Sequence, residues 1–550
     1  MFALWRTAER QDALVAEKLR ETRSCDQVVA IDDAAFFDEL FNYLREIGLL
    51  ALLEGLDPGK RKRESIPFLT FVLLSIMRSV GGVQSMLAMH DILLTDEALM
   101  ALVGFNAIQV RDGNNARGKR KRSHPTKIRG ALSYETVADN IVKIGAQALC
   151  EMFNGAIACL ARRGVFPKKV DAVLDATDNE ATPKYKTDAG GAVPSVTREK
   201  RPDVRANQHA PKVKVTVWGW KVWVVFDPVS KMPLALCLDG INEPDNKHAY
   251  AVLMQARKNL DGHAEIRSVA LDRGFLDGQL LWQIDSAGIW VYIPGKANLG
   301  ITQEARALAR QAAQATNDGK TVDGCVVRER SEVITRGAGK NARKTTLRTK
   351  VVGIESLACD FWTAEGSRTS APCSKKFEPR LLRATVVLCW KGAEQDLGDE
   401  PVLLTSDTNP DPFAAFDAYD DRSLIENTCN REAKETWFLE RHPKRSEAGV
   451  RVQTYFVFLC MALLAAFRVE RAKAEAAERR GAETGMSRYR RALMRENRDK
   501  VAVFIDDSYG VLHSWEFAVL AGIIVRKHAE VGDTVASILE RLRKGAGDTS

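Results

Sequence analysis

Apolar residues recur at three- and four-residue spacing through the first 165 residues, as in Phe36-Phe37-Leu40-Phe41-Leu44, Phe68-Leu69-Val72-Leu73-Ile76 and Leu87-Leu93-Leu99-Leu102. That is the repeat of a helix face, so residues 1–165 read as mostly helical. Ser133 with Thr136 opens a further helix through Val137, Ile141, Ile144 and Leu149. Near Lys168 the texture changes: the short apolar run from Val170 to Thr177 reads as a strand followed by a loop, with Asp175 at the end of the run. Lys221 to Asp227 and Met232 to Asp239 flank Pro228-Val229-Ser230-Lys231 and predict a hairpin. A helix (Lys247 to Leu260), a strand (Ile266 to Asp272), a helix (Leu276 to Ser286) and a strand (Ile289 to Pro294) follow, so residues 166–296 predict a mixed α/β core with helices on both faces of its sheet.

From 297 to 406 the rhythm breaks into short β-like runs, Cys325 to Arg328, Thr346 to Ile354, Leu381 to Trp390 and Val402 to Thr405, which predict a β-rich insertion. Residues 407–475 turn helical again. Asp411-Pro412 is an N-terminal cap with Pro at the first helical position, and one helix is expected from there to about Trp437. Residues 476–550 read as mainly helical, although Val501 to Ile505 is strand-like.

A length of 550 residues with 45% hydrophobic and 28% charged residues excludes both a single small module and a largely disordered chain. The N-terminal MFALWRTAER carries charge from Arg6 onward, unlike a signal peptide. The longest apolar run, Tyr455 to Phe467, falls well short of the roughly 20 residues that cross a bilayer, so a buried core helix and no membrane partner are expected. The ten cysteines stand singly and the eight histidines are dispersed, which points to neither a disulfide framework, a zinc module nor a Ser/His/Asp triad. A reducing, cytoplasmic setting fits this pattern.

The 80 basic residues exceed the 72 acidic ones only slightly, but the excess is clumped. Between Arg111 and Gly130, eight basic residues (Arg111, Arg117, Lys119, Arg120, Lys121, Arg122, Lys127, Arg129) stand against Asp112 alone. Lys60-Arg61-Lys62-Arg63 form a second cluster, and Lys184 to Lys214 a third. One such block reads as a solvated loop; three in one chain point to a polyphosphate partner, because each phosphate contact releases condensed counterions. Trp218, Trp220 and Trp223 beside Lys212, Lys214 and Lys221 read foremost as the packing of a strand pair. Trp362 and Trp390 lie in the insertion, where an aromatic can stack on an unpaired base or pack in a core.

Three carboxylates are candidates for chemistry. Asp175 and Asp272 sit at strand ends in the strings LDAT and LDRGF, where a lone Asp also reads as a turn or cap. Glu426 lies inside the C-terminal helical pattern. At about 100° per residue Tyr419 and Arg422 share its helix face, with Lys434 roughly 80° away at the edge. Alone, this is also the pattern of an i,i+4 salt bridge. Asp178 is a rival to Asp175, which is preferred because it directly ends the apolar run.

These residues resemble the DDE transposases of bacterial insertion sequences, in the group whose RNase H-like domain is split by a β-rich insertion between the second Asp and the Glu. The matching strings are Leu174-Asp175-Ala176-Thr177, Asp272-Arg273-Gly274-Phe275 and a Y-x2-R-x3-E pattern at Tyr419, Arg422 and Glu426. The family's x6-K spacing falls on Ala433, whereas an E-N-x-x-x-R-E-x-K string carries the Lys at Lys434. The resemblance covers about 170–470. It implies an RNase H-like mixed sheet, with Asp175, Asp272 and Glu426 as catalytic metal ligands for Mg²⁺ (Mn²⁺ substituting). It further implies Tyr419, Arg422 and Lys434 as contacts to nucleic acid, the two cations flanking a phosphodiester. By the same implication the chain cleaves transposon ends and joins the freed 3′-hydroxyl to target DNA. It would act as a homodimer on double-stranded DNA in the cytoplasm at the nucleoid, with residues 1–165 binding DNA. A nuclease without strand transfer and a non-catalytic repressor are the alternatives. A glycosidase would leave the basic clusters and the third carboxylate without a role.

Overall fold

Val213–Asp227 is rich in valine and tryptophan over fifteen positions, the composition of a strand, and is buried along its second half. In the computed structural model it lies one strand in from an end of the main path of an eleven-stranded mixed sheet. The structure describes residues 8–32, 34–59, 66–113, 130–200, 213–336, 343–358, 381–409, 411–475, 486–523, 538–540 and 542–543. The chain divides into two compact units: Phe166–Thr182 with Pro194–Glu432, which contains this sheet, and Met1–Val165 with Pro183–Val193 and Ala433–Ser550.

The strands of the sheet unit are β1 (Lys169–Ala181), β2 (Ser195–Lys200), β3 (Val213–Asp227), β4 (Met232–Gly240), β5 (Glu265–Leu271), β6 (Trp290–Pro294), β7 (Cys325–Arg336), β8 (Arg343–Ala358), β9 (Leu381–Trp390) and β10 (Val402–Thr405). A two-residue strand, Ala393–Glu394, pairs with β9. The main path runs β2-β3-β1-β5-β6-β10-β9-β8-β7, and β4 pairs with β3. Strand β1 is antiparallel to β3 and parallel to β5, and β5 is parallel to β6. This is the mixed RNase H-like sheet that the resemblance implies. The predicted hairpin is β3-β4, with Asp227 opposite Met232 and Lys231 at φ 59° in its turn. Helix α1 (Ala249–Asn259) packs on β3 and β4, and α2 (Gly278–Ser286) precedes β6 and packs on it.

Several features of the sheet differ from expectation. Strand β1 does not end at Asp175 but continues to Ala181, because β3 goes on pairing with it up to Trp218 after β5 has ended. The third basic stretch supplies a strand, β2, whose Ser195 to Lys200 pair with Trp218 to Val213. The insertion begins with an eighteen-residue helix, α3 (Gly300–Asn317), which packs on β7, β8 and β9. Its strands also continue the core sheet, since β10 pairs with β6 with Leu404 opposite Ile293. Trp220 and Trp223 are buried, and Trp390 packs edge-on against Phe416 at 5.5 Å. Trp362, Lys60 to Arg63 and most of the Arg111 to Gly130 cluster lie outside the described residues.

Gly219 shows why β3 carries a glycine at its centre. Its φ is +143°, and a Cβ there would lie 2.3 Å from the carbonyl oxygen of Asn179.

The other unit is built on helices. The long helix Glu447–Glu475 packs against Ala146–Arg162 and Phe68–Val80, with Phe153 against Tyr455 at 6.1 Å. By length and apolarity alone a window of this helix would cross a membrane, but 94% of that window is buried, as expected of a core helix. The C-terminal region is less helical than its pattern predicts: Lys500–Ile505 and Ser508–His513 form a hairpin that pairs with Gln27–Ala30 on one side and Glu9–Arg10 on the other. Beneath it Val15, Leu19, Val503 and Leu512 share one core. Asp38 is fully buried there, accepting from Tyr509 Oη at 3.0 Å and pairing with Arg10 at 3.3 Å, and burial pushes its carboxyl up to about 6.

Arg78 is buried in the same unit. It donates to Gln453 Oε1 and to the Arg441 carbonyl, both at 2.9 Å, and burial lowers it to about 10. Burial, and secondarily the charge of Arg78, lowers His442 to about 4, while the Tyr185 hydroxyl lies 3.0 Å from its Nδ1. The unfolded chain therefore binds a proton between pH 6.5 and 4 that the folded one does not, so stability is present above 6.5 and lost as the pH falls toward 4. His442→Gln should abolish this part of the acid dependence. Urea unfolding at pH 7 and pH 4.5 should lose up to about 3 kcal/mol less in the variant than in wild type. In a second test, Gly219→Ala should cost more than about 1 kcal/mol in the same measurement.

Candidate active site

The parallel ladder between β1 and β5 ends at Leu174 opposite Leu271. The next residue on each strand is an aspartate, so Asp175 and Asp272 emerge side by side at the carboxyl end of two neighbouring parallel strands, the position where open α/β sheets place ligand chemistry. After Asp272 the backbone turns into a short 3₁₀ helix, Arg273–Phe275, anchored by the buried Phe275 ring. Gly274 leaves room for the loop after β4: a Cβ on it would come within 2.9 Å of Asp245 Oδ2. Asp245 is fixed by Lys221 Nζ at 2.7 Å, and its carbonyl accepts from Trp223 Nε1 at 2.6 Å. Asp178, three residues along β1 from Asp175, falls on the opposite face of the strand and is paired with Arg198. It therefore does not join Asp175.

The third carboxylate comes from the segment after β10. Helix α4 (Pro412–Asp420) starts at Asp411, whose Oδ1 accepts from the Phe413 N–H at 3.1 Å. The single helix expected to Trp437 is divided: Arg422–Leu424 is followed by a π-helical stretch, Ile425–Asn430, and then by Arg431–Glu435. Such widened turns often occur at functional sites. The 100° spacing used for the sequence therefore does not hold across this region. Tyr419, Arg422 and Glu426 still meet, because residues three and four apart remain neighbours on any such turn. The Arg422 guanidinium lies 5.4 Å from the Tyr419 ring centroid, and its Nη2 donates to Glu426 Oε1 at 2.8 Å. Its Nη1 is buried without a hydrogen bond, 3.9 Å from Asp272 Oδ1. Lys434 belongs to the helical unit, where it pairs with Glu440 at 3.3 Å.

Arg422 is thus the cation among the carboxylates. Burial pushes the Asp175 carboxyl up to about 7. The Ala176 N–H and the charge of Arg422 oppose this rise, whereas the charges of Glu426 and Asp272 add to it. Asp175 Oδ2 also accepts from Asn430 Nδ2 at 2.9 Å. Among the described residues, no three Asp, Glu, His or Cys side chains converge closely enough to hold a metal ion as they stand, with Glu426 turned onto Arg422. In donor chemistry the site nevertheless suits a divalent cation. Its charged groups other than Arg422 are the carboxylates of Asp175, Asp272 and Glu426, the oxygen donors that a hard divalent cation takes. Asn430 carries no charge and gives no sign in the sequence beyond standing four residues after Glu426.

A family model described as a transposase DDE domain matches residues 168–463. No curated protein sequence matches the chain. Among solved structures, the cryo-EM structure of a piggyBac transposase synaptic complex with hairpin DNA aligns at 8% identity and a TM-score of 0.36, covering 94% of this chain and 85% of the other. A score that low carries no weight for fold or function.

Replacing Arg422 removes a charge that favours ionised Asp175. In carboxyl ¹³C NMR of the metal-free protein, the Asp175 resonance, assigned by its loss in Asp175→Asn, should titrate near 7 in wild type. In Arg422→Gln its midpoint should move upward.

Proposed function

Since the chain belongs to the transposase DDE domain family, we propose that this DNA transposase carries its chemistry on Asp175, Asp272 and Glu426, uses Mg²⁺ with Mn²⁺ as a substitute, and joins the 3′-hydroxyl of a cut transposon end to target DNA. The observation that carries the assignment is the register of β1 and β5, which sets Asp175 beside Asp272, with Arg422 linking that pair to Glu426.

The three carboxylates would hold the cations, which when bound offset the charge on the attacking and leaving oxygens of the phosphodiester. Arg422, backed by the Tyr419 ring, presents a planar fork suited to a phosphate. Its present grip on Glu426 must loosen for Glu426 to act as a ligand. Lys434 would supply a further point charge to the DNA backbone. In strand transfer one phosphorus–oxygen bond forms as another breaks, and the proton of the 3′-hydroxyl passes to the leaving oxygen by way of solvent, so no external energy source is needed.

In this reading the helical region 1–165, with the clusters at Lys60 to Arg63 and Arg111 to Gly130, grips double-stranded DNA. Residues 166–296 and 407–475 form the two parts of the catalytic core, separated by the insertion at 297–406. Residues 476–550 serve a homodimer assembled on transposon ends. Its place of action is the cytoplasm, at the nucleoid.

The test is Mg²⁺-dependent cleavage and joining of a DNA fragment bearing the flanking inverted repeats. Wild type should cut and join, while Asp272→Ala and Glu426→Ala should bind the same DNA and lose at least about a thousandfold in rate, as expected when groups essential to transition-state charge are removed. Cutting without joining would make the protein a nuclease, binding without cutting by wild type would make it a repressor, and cutting that survives both substitutions would move the site elsewhere.

A further inference from the structure

Asn430 is the last residue of the π-helical stretch that carries Glu426, and its side chain reaches across to β1 to donate to Asp175 Oδ2 at 2.9 Å. We propose that Asn430 is a positioning residue of the carboxylate centre, an uncharged clamp that fixes the orientation of Asp175 for a divalent cation and ties the Glu426 helix to the strand bearing Asp175. This rests on the proposed role of Asp175 as a metal ligand.

Three observations support it. The donor is nearly fully buried, with 9% of its surface exposed, so the bond is shielded from competing water. An amide-to-carboxylate bond is charge-assisted and directional, and leaving its acceptor unsatisfied is costly. The residue type also suits the site. Asp175 already feels Glu426 and Asp272. A fourth carboxylate at position 430 would add repulsion, while Lys or Arg would compete with the metal for the same oxygens. A neutral amide holds one carboxylate oxygen without changing the charge that the cation meets. Partners of this kind orient metal ligands in general, and their loss typically weakens metal affinity ten- to a hundredfold. Asn430 also sits one turn from Glu426, so any movement of this helix that frees Glu426 from Arg422 is referred through Asn430 to Asp175.

The test is Mn²⁺ binding to the full-length protein, followed by the loss of the free-ion EPR signal, for wild type, Asp175→Asn, Asn430→Ala and Asn430→Ser. Serine keeps a polar group in the pocket but stops short of Asp175, which guards against a folding defect in the alanine variant. Thermal melts and metal-free DNA binding serve as the measure of intact structure. Both Asn430 variants should bind Mn²⁺ ten- to a hundredfold more weakly, and in the cleavage assay their rate should recover at high metal concentration, an effect on apparent metal affinity rather than on the maximal rate. Wild-type affinity in either folded Asn430 variant, with binding lost in Asp175→Asn, would overturn the clamp and leave the site assignment standing. Binding unchanged in Asp175→Asn would instead remove the metal-ligand assignment of Asp175, and the clamp with it.

Discussion

The parallel pairing of β1 with β5 is the constraint on which the site depends. A parallel ladder fixes which residues leave it together. Here it releases an aspartate from each strand at the same level, immediately after Leu174 and Leu271. A slip of one residue in either strand would turn its aspartate to the other face of the sheet. Both faces of the two strands are packed, with Val173 and Leu174 on β1 and Ala270 and Leu271 on β5 buried on opposite sides, so a slip would force side chains of different shape into each packed layer. Antiparallel pairing on the far side of β1 extends the strand past the site, so Asp175 is held within a continuous strand rather than on a loose end.

Bringing like charges together in a half-buried place has a cost, and the surrounding residues offset it unevenly. Asp272 and Glu426 share Arg422, whereas Asp175, the most deeply set, receives the Ala176 N–H and the Asn430 amide. Burial is the main cause of the raised proton affinity of Asp175, and the charges of Glu426 and Asp272 add to it. Arg422 thus meets part of the negative charge gathered here, and a neutral amide holds the carboxylate that it does not reach.

Much of this was legible in the chain. The β3-β4 hairpin and the α1-β5-α2-β6 order follow from local periodicity and turn chemistry, and local signals survive folding, whereas the strings around Asp175, Asp272 and Glu426 stood out through their resemblance to the transposase family. What escaped depends on partners distant in sequence. Strand β1 reads as ending at Asp175 because polar residues follow, yet β3 stabilises it as far as Ala181. The pattern from Pro412 to Trp437 is helical throughout, but its division near Asp421 and the widened turn at Glu426 are imposed by tertiary context, as is the assignment of Lys434 to the helical unit. The helix Gly300–Asn317 was obscured by its small residues, since Ala305, Ala309 and Ala312 bury a face too modest to stand out as an apolar stripe. Asn430 could not be recognised without Asp175 opposite it.

The small sheet of the helical unit pairs Gln27–Ala30 with Lys500–Ile505 and Glu9–Arg10 with Ser508–His513. During synthesis these early strands have no edge to join until nearly five hundred further residues have been made, whereas every strand of the eleven-stranded sheet has been translated by Thr405. Vectorial folding therefore favours the sheet unit first. The helical unit must keep its first apolar helices, including Val15 and Leu19, waiting for their hairpin, so truncated translation products would expose that surface and be prime substrates for chaperones and proteases.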